Sequence, residues 1–326
     1  MIPPPPERHV RPYAQRHVRS YADTGGMAPG TSASPADPLD ALDPIYFADK
    51  PWDARVADWE ASAAGRRFSA GNEQVVRTAI DDPDAGLCVV VNLGVTALLG
   101  LLPDGRYLNL YERPVIGGEA REESPERRTV DEALDLVGKD VYFAAVALGG
   151  AGVRYYGEYC LVLRLDRVDP DPHLLDRDSY DLLLEPLDGI RDRVVTRLEG
   201  RWSADRRAMV LMKVLPEVAH DHRLVTTGTV SELVLKDQEF IEVHLVPDRP
   251  PGVRGGFGRD GVAEVRESPD EVAVATRLRE RAEDGQLLSD VEDEWLRRRE
   301  CASRVIARAT LPSRVVTHHG KGYQWK

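Results

Sequence analysis

The chain has 326 residues, 42% of them hydrophobic and 30% charged, with a formal net charge of -12 and an isoelectric point near 5.2. That is enough apolar chain for one large domain or two modest ones, and it excludes wholesale disorder. The acidic balance argues against a general nucleic-acid binder, whose affinity comes largely from neutralising phosphates, but does not exclude a local basic cleft. Cys88, Cys160 and Cys301 are widely spaced, with no disulfide framework and no zinc-ligand spacing, which suits a reducing compartment. No run is long enough to span a membrane and no apolar signal core is visible, so a cytoplasmic location without a membrane partner is the expectation.

Residues 1–40 read as a disordered tail. Pro3 to Pro6 is a polyproline run, and Arg8-His9-Val10-Arg11-Pro12-Tyr13-Ala14-Gln15 is nearly repeated as Arg16-His17-Val18-Arg19-Ser20-Tyr21-Ala22-Asp23. The repeat is either a basic arm for an anionic partner or dispensable, and two copies are too few for a solenoid. Tyr46, Phe47, Trp52 and Trp59 belong to turns and a short helix packed on the body. Residues 73–80 read as helix. The apolar runs 87–91 and 95–102 read as a strand and a short helix, which periodicity alone does not separate. Pro103-Asp104-Gly105 is a turn, and residues 106–112 alternate like a strand. A short helix is expected over 130–137, and strands over 141–148 and the second half of 153–165. Residues 166–178 read as a loop, and two further elements follow at 191–198 and 206–214.

The stretch 228–247 organises the rest. Two apolar runs flank the polar turn Lys236-Asp237-Gln238-Glu239, and the second run should be a short strand ended by Pro247. Ile241, Val243 and Leu245 share one face of it; Phe240, Glu242 and His244 share the other. Glu242 is then either a solvent-facing residue on a half-buried strand or a buried carboxylate, which is costly unless paired or used. Beyond it, 247–261 is a Gly, Pro and Arg loop in which Gly255-Gly256-Phe257-Gly258 lacks the ending of a phosphate loop. Two helices follow, opened by Ser268 with Glu271 and by Ser289 with Glu292 as capping boxes. His318 and His319, as strand neighbours, point to opposite faces and do not make a metal-ligand pair, so no metal is expected. The division expected is a tail over 1–40, a main domain over 41–247 and a helical extension over 248–326.

The sequence has no Gly-x-Ser-x-Gly, no His-Glu-x-x-His, no dinucleotide fingerprint and no Walker loop. What remains is a set of short strands, each with one polar residue near an aromatic. Arginine suits a pyrophosphate because its fork donates two hydrogen bonds together. A late carboxylate suits a ribose hydroxyl beside a developing oxocarbenium ion.

In this order and spacing the chain resembles a diverged bacterial mono-ADP-ribosyltransferase of the toxin-like class. Leu101-Leu102-Pro103-Asp104-Gly105-Arg106-Tyr107 is similar to the strand carrying the NAD-binding arginine. Arg154-Tyr155-Tyr156-Gly157-Glu158-Tyr159 leads the next strand, and Gln238-Glu239-Phe240-Ile241-Glu242-Val243 is similar to the turn and strand bearing the catalytic glutamate. The resemblance spans about half the chain. It departs from the family in the middle strand, where Asp178-Ser179-Tyr180 is the substitute for Ser-Thr-Ser. It departs again two residues before Glu242, where Phe240 replaces a Glu or Gln. The resemblance implies an α+β fold with two small, mostly antiparallel sheets around a cleft and peripheral helices. It implies NAD as substrate and an unknown macromolecular acceptor, protein or nucleic acid. Arg106 is then the phosphate ligand; Tyr156, Gly157 and Ser179 frame nicotinamide and its ribose; Tyr180 stacks; Glu242 is catalytic; and Glu239 or Gln238 orients the acceptor. Two other readings stand beside it. One is a non-enzymatic protein-interaction module that docks through the charged helices after Ser268. The other is a metal-dependent nuclease built on Glu158, Asp166 and Glu242.

Overall fold

A computed structural model describes residues 50–62, 65, 70–82, 86–102, 104–109, 112, 125–134, 136, 140–179, 199–220, 225–235, 240–248, 253 and 255–316. All belong to one unit, Leu42–Lys326. The N-terminal repeat, the element expected at 191–198 and the two C-terminal histidines lie outside the described residues, as do Gln238, Glu239 and Tyr180.

The chain order is α1 (Trp52–Ala61), α2 (Ala70–Asp81), β1 (Leu87–Leu93), α3 (Val95–Leu101), α4 (Pro125–Ala133), β2 (Tyr142–Leu148), β3 (Tyr159–Leu163), α5 (Leu165–Val168), β4 (His173–Leu175), β5 (Glu199–Arg201), α6 (Trp202–His220), α7 (Thr227–Val234), β6 (Glu242–Leu245), β7 (Val262–Glu267), α8 (Pro269–Glu283), α9 (Asp290–Arg308) and β8 (Ser313–Val315). The described strands form one eight-stranded sheet in the order β5-β4-β6-β2-β1-β3-β7-β8, where the resemblance implies two small sheets. Every pairing is antiparallel except β7 with β8. The class is mixed α and β with a mostly antiparallel sheet.

Pleating sorts the strand residues between two faces. On one face Val89, Val91, Leu93, Ala144, Val146, Leu148, Leu161, Val243 and Leu245 meet apolar residues of α1, α2, α3, α6, α7 and α9 in the main core. The other face carries two smaller clusters. Val130 of α4 and Leu134 just after it meet Val141 and Leu175 in one. Val90, Ala145, Ala147, Cys160, Val162 and Phe240 form the second. Burial on both faces is why β2, β3 and residues 87–91 of β1 read as unbroken apolar runs rather than alternating ones. It is also why a charged side chain on β6 needs partners supplied by the fold.

Several expectations change. Residues 105–109 form no strand, although they alternate; their backbone meets a loop, where Tyr107 N donates to Phe257 O (2.7 Å) and Gly256 N to Tyr107 O (2.7 Å). The loop expected over 166–178 contains α5 and β4. The helix expected at 130–137 begins earlier, at Pro125. Residues 248–326 supply two helices, as expected, and also β7 and β8 of the same sheet.

Candidate functional site

Strand β6 and the two residues before it put Ile241, Val243 and Leu245 into the main core and Phe240, Glu242 and His244 on the opposite face, as the alternation requires. Glu242 is not solvent-facing: it is 4% exposed, and His244 is fully buried. The register sets Glu242 opposite Ala145 and His244 opposite Phe143 on β2, with Leu175 and His173 of β4 on the other side. Small Ala145 leaves room beside the carboxylate, and the His244 ring meets Phe143 edge-on, with centroids 5.3 Å apart at 89°.

The carboxylate is held at both oxygens. Oε2 accepts from the Ser179 backbone N (3.1 Å) and from Ser179 Oγ (3.0 Å). Oε1 pairs with His244 Nε2. With Glu242 ionised the carboxylate only accepts, and Nε2 is then the donor of this pair. Three donors on one buried carboxylate answer the cost of burying it.

Next to Ser179, Asp178 is buried and accepts from the Tyr156 hydroxyl (3.2 Å). Tyr156 is 47% exposed, and its ring meets Phe240 edge-on at 6.3 Å. Tyr156, Ser179 and Glu242, three residues drawn from separate stretches, thus lie in one connected group on one face of the sheet. Gly157 sits beside it for a structural reason. A Cβ there would lie 2.0 Å from Leu93 C and 2.3 Å from Gly94 N, and the Gly157 carbonyl accepts from Asn92 Nδ2 (3.1 Å).

Arg106 is placed elsewhere. Its Nε donates to Gly255 O (3.1 Å) and its Nη2 to Gly256 O (2.8 Å), so it secures the Gly-Gly loop. That loop lies over Tyr142, whose ring a Cβ on Gly256 would meet at 2.9 Å, while Tyr107 stacks on Phe257 at 5.0 Å. Tyr142 pairs with Leu245 and Ala145 with Glu242, which separates the two places by three residues, roughly 10 Å, along the ladder and puts them on opposite faces. The nuclease carboxylates are not assembled either. Asp166 is exposed on α5, Glu158 accepts from Val95 N (3.3 Å), and among the described residues no group of three His, Cys, Asp or Glu side chains is arranged to hold a metal ion.

Two thiols lie on the same face as Glu242, and burial pushes both Cys88 and Cys160 up from the ordinary thiol value, so neither is poised as a nucleophile. A second pair borders the site: His173, in register with His244, has its Nδ1 3.2 Å from Glu199 Oε1 on β5. Sequence reasoning did not assign Asp178, His244 or His173. His244 was legible as the i+2 neighbour of Glu242 on the same strand face. His173 was not, because its place depends on the pairing of β4 with β6.

Compared with known proteins, the chain matches no family model, no curated protein and no solved structure. Among the described residues, no helix is long and apolar enough to cross a membrane.

Proposed function

We propose that this chain transfers ADP-ribose from NAD to a protein or nucleic-acid acceptor and releases nicotinamide. One observation carries the reading. Tyr156, Ser179 and Glu242, singled out separately by the resemblance, belong to one connected group around a carboxylate gripped at both oxygens. In this reading NAD enters on the side marked by exposed Tyr156. Glu242 holds a hydroxyl of the nicotinamide ribose, and its charge stabilises the oxocarbenium ion as the C1′–N bond breaks and nicotinamide leaves with the bonding pair. The acceptor then donates a lone pair to C1′ and gives up a proton. Tyr156, Gly157 and Ser179 frame nicotinamide and its ribose, and Tyr180 stacks on the nicotinamide. Glu239 or Gln238 orients the acceptor; Arg106, the phosphate ligand of the resemblance, holds the 255–256 loop on the other face of the sheet and has no part in this reading.

The test is nicotinamide release from NAD by the purified protein beside Glu242→Gln, together with melting temperature against NAD concentration. Expected are NAD-dependent stabilisation in both proteins and release that the substitution lowers by at least about 100-fold, the scale set by removing one electrostatic stabiliser. Equal release by a folded Glu242→Gln protein sinks the assignment. Neither release nor stabilisation favours the second reading, a protein-interaction module. That reading is supported by the exposure of Leu287 (94%) and Val291 (72%) near the start of α9.

A further inference from the structure

We propose that His244 is the positioning residue for Glu242, holding Oε1 through an Nε2–H bond while Ser179 holds Oε2. As a role within the transfer reaction this rests on the reading above; the pairing itself does not. Four observations carry it. Strand periodicity puts residues 242 and 244 on one face, and both are buried. Nε2 faces the carboxylate oxygen that Ser179 does not hold. The imidazole is fully buried, with Phe143 of β2 edge-on against it. On its other flank the β4 ladder sets His173, itself against Glu199. The carboxylate plane is therefore fixed by two groups from different parts of the chain, one on its own strand and one delivered from residue 179. Fixing that plane matters because a misdirected carboxylate still occupies its pocket but no longer meets the ribose hydroxyl as positive charge develops.

Side-chain geometry supplies a sharp test. The amide nitrogen of glutamine reaches about as far from the backbone as imidazole Nε2, whereas that of asparagine reaches only as far as Nδ1. His244→Gln keeps a donor against Oε1; His244→Asn and His244→Leu do not. With NAD as substrate, the Asn and Leu variants are expected to lose roughly 10- to 100-fold in kcat with little change in KM, the scale of one hydrogen bond to a charged group. The Gln variant recovers most of that loss. Side-chain 15N NMR of the unmodified full chain gives the readout that does not need turnover. A proton on His244 Nε2, in a resonance that moves in Glu242→Gln, is expected. An Nδ1-only protonated ring, or an Nε2 signal indifferent to Glu242→Gln, overturns the proposal whatever the protein does with NAD. A protein silent toward NAD that shows the coupled Nε2 proton upholds the His244–Glu242 pairing and sinks only the transferase reading. Equal kcat loss in the Gln, Asn and Leu variants, all folded, also overturns it.

Discussion

Gly157 shows how one residue joins stability to the site. The turn of residues 154–156 folds back against the end of β1 so closely that a Cβ at 157 would overlap Leu93 and Gly94 backbone, which cannot swing aside as a side chain can. Gly157→Ala is expected to cost about 1–3 kcal/mol in urea denaturation, as overpacking does. A change below about 0.5 kcal/mol means that the turn relaxes and does not rely on the close approach. At this scale the sequence exposed the residue types of the site but not their roles. Glu242 stood out as a carboxylate on an apolar strand. Gly157 reads as room for a ring, and the fold also uses it to pass one backbone past another. Arg106 looked like a free fork, whereas two backbone carbonyls of the 255–256 loop take its donors.

Helix starts were the most legible elements, because a cap is complete within four residues. Ser289 and Glu292 form the reciprocal box expected of them. At Ser268 the hydroxyl caps Asp270 N (3.3 Å), but Glu271 turns away to Arg154 (2.9 Å), a partner far along the chain. Ser289→Ala is expected to lower stability by about 1 kcal/mol. Glu292 adds a pH signature. The Ser289 backbone N–H, then the Arg281 guanidinium, hold its carboxyl down at about 2, below the ordinary 4.5. A depressed acid contributes fully above its ordinary value, and the contribution fades as pH falls from about 4.5 toward about 2. The melting temperature of Glu292→Gln should therefore fall less steeply than that of the unmodified protein between those pH values. Parallel curves would mean that the box adds no pH-linked stability. Strands were harder to read. β4 and β5 have three residues each, too few for a period to show, and β7 (Val-Ala-Glu-Val-Arg-Glu) carries three charges that its neighbours neutralise only in the fold.

At the scale of the molecule, one sheet ties both ends of the described chain together. β7 covers the whole of β3, whose five residues are all buried, and α9 packs on α3 in the main core. Removing residues 248–326 therefore unpairs a buried strand and strips one wall from the core. The shortened protein is expected to show no cooperative thermal transition. A sharp transition near that of the full chain would make the C-terminal part a separable unit.

The sequence by itself determined what local interactions settle: the alternation that points Glu242 and His244 one way and Val243 the other, the caps of α8 and α9, and the apolar runs of β1 to β3. Each depends on neighbours within a helical turn or a strand pleat. Only the tertiary structure decided that Ser179 meets Glu242, that Tyr156 reaches Asp178, that His173 lies beside His244, and that Arg106 belongs to another loop. Those contacts follow from which strands pair and in what register. Pairing is chosen by the summed burial of distant segments, a quantity that no single stretch of the chain carries.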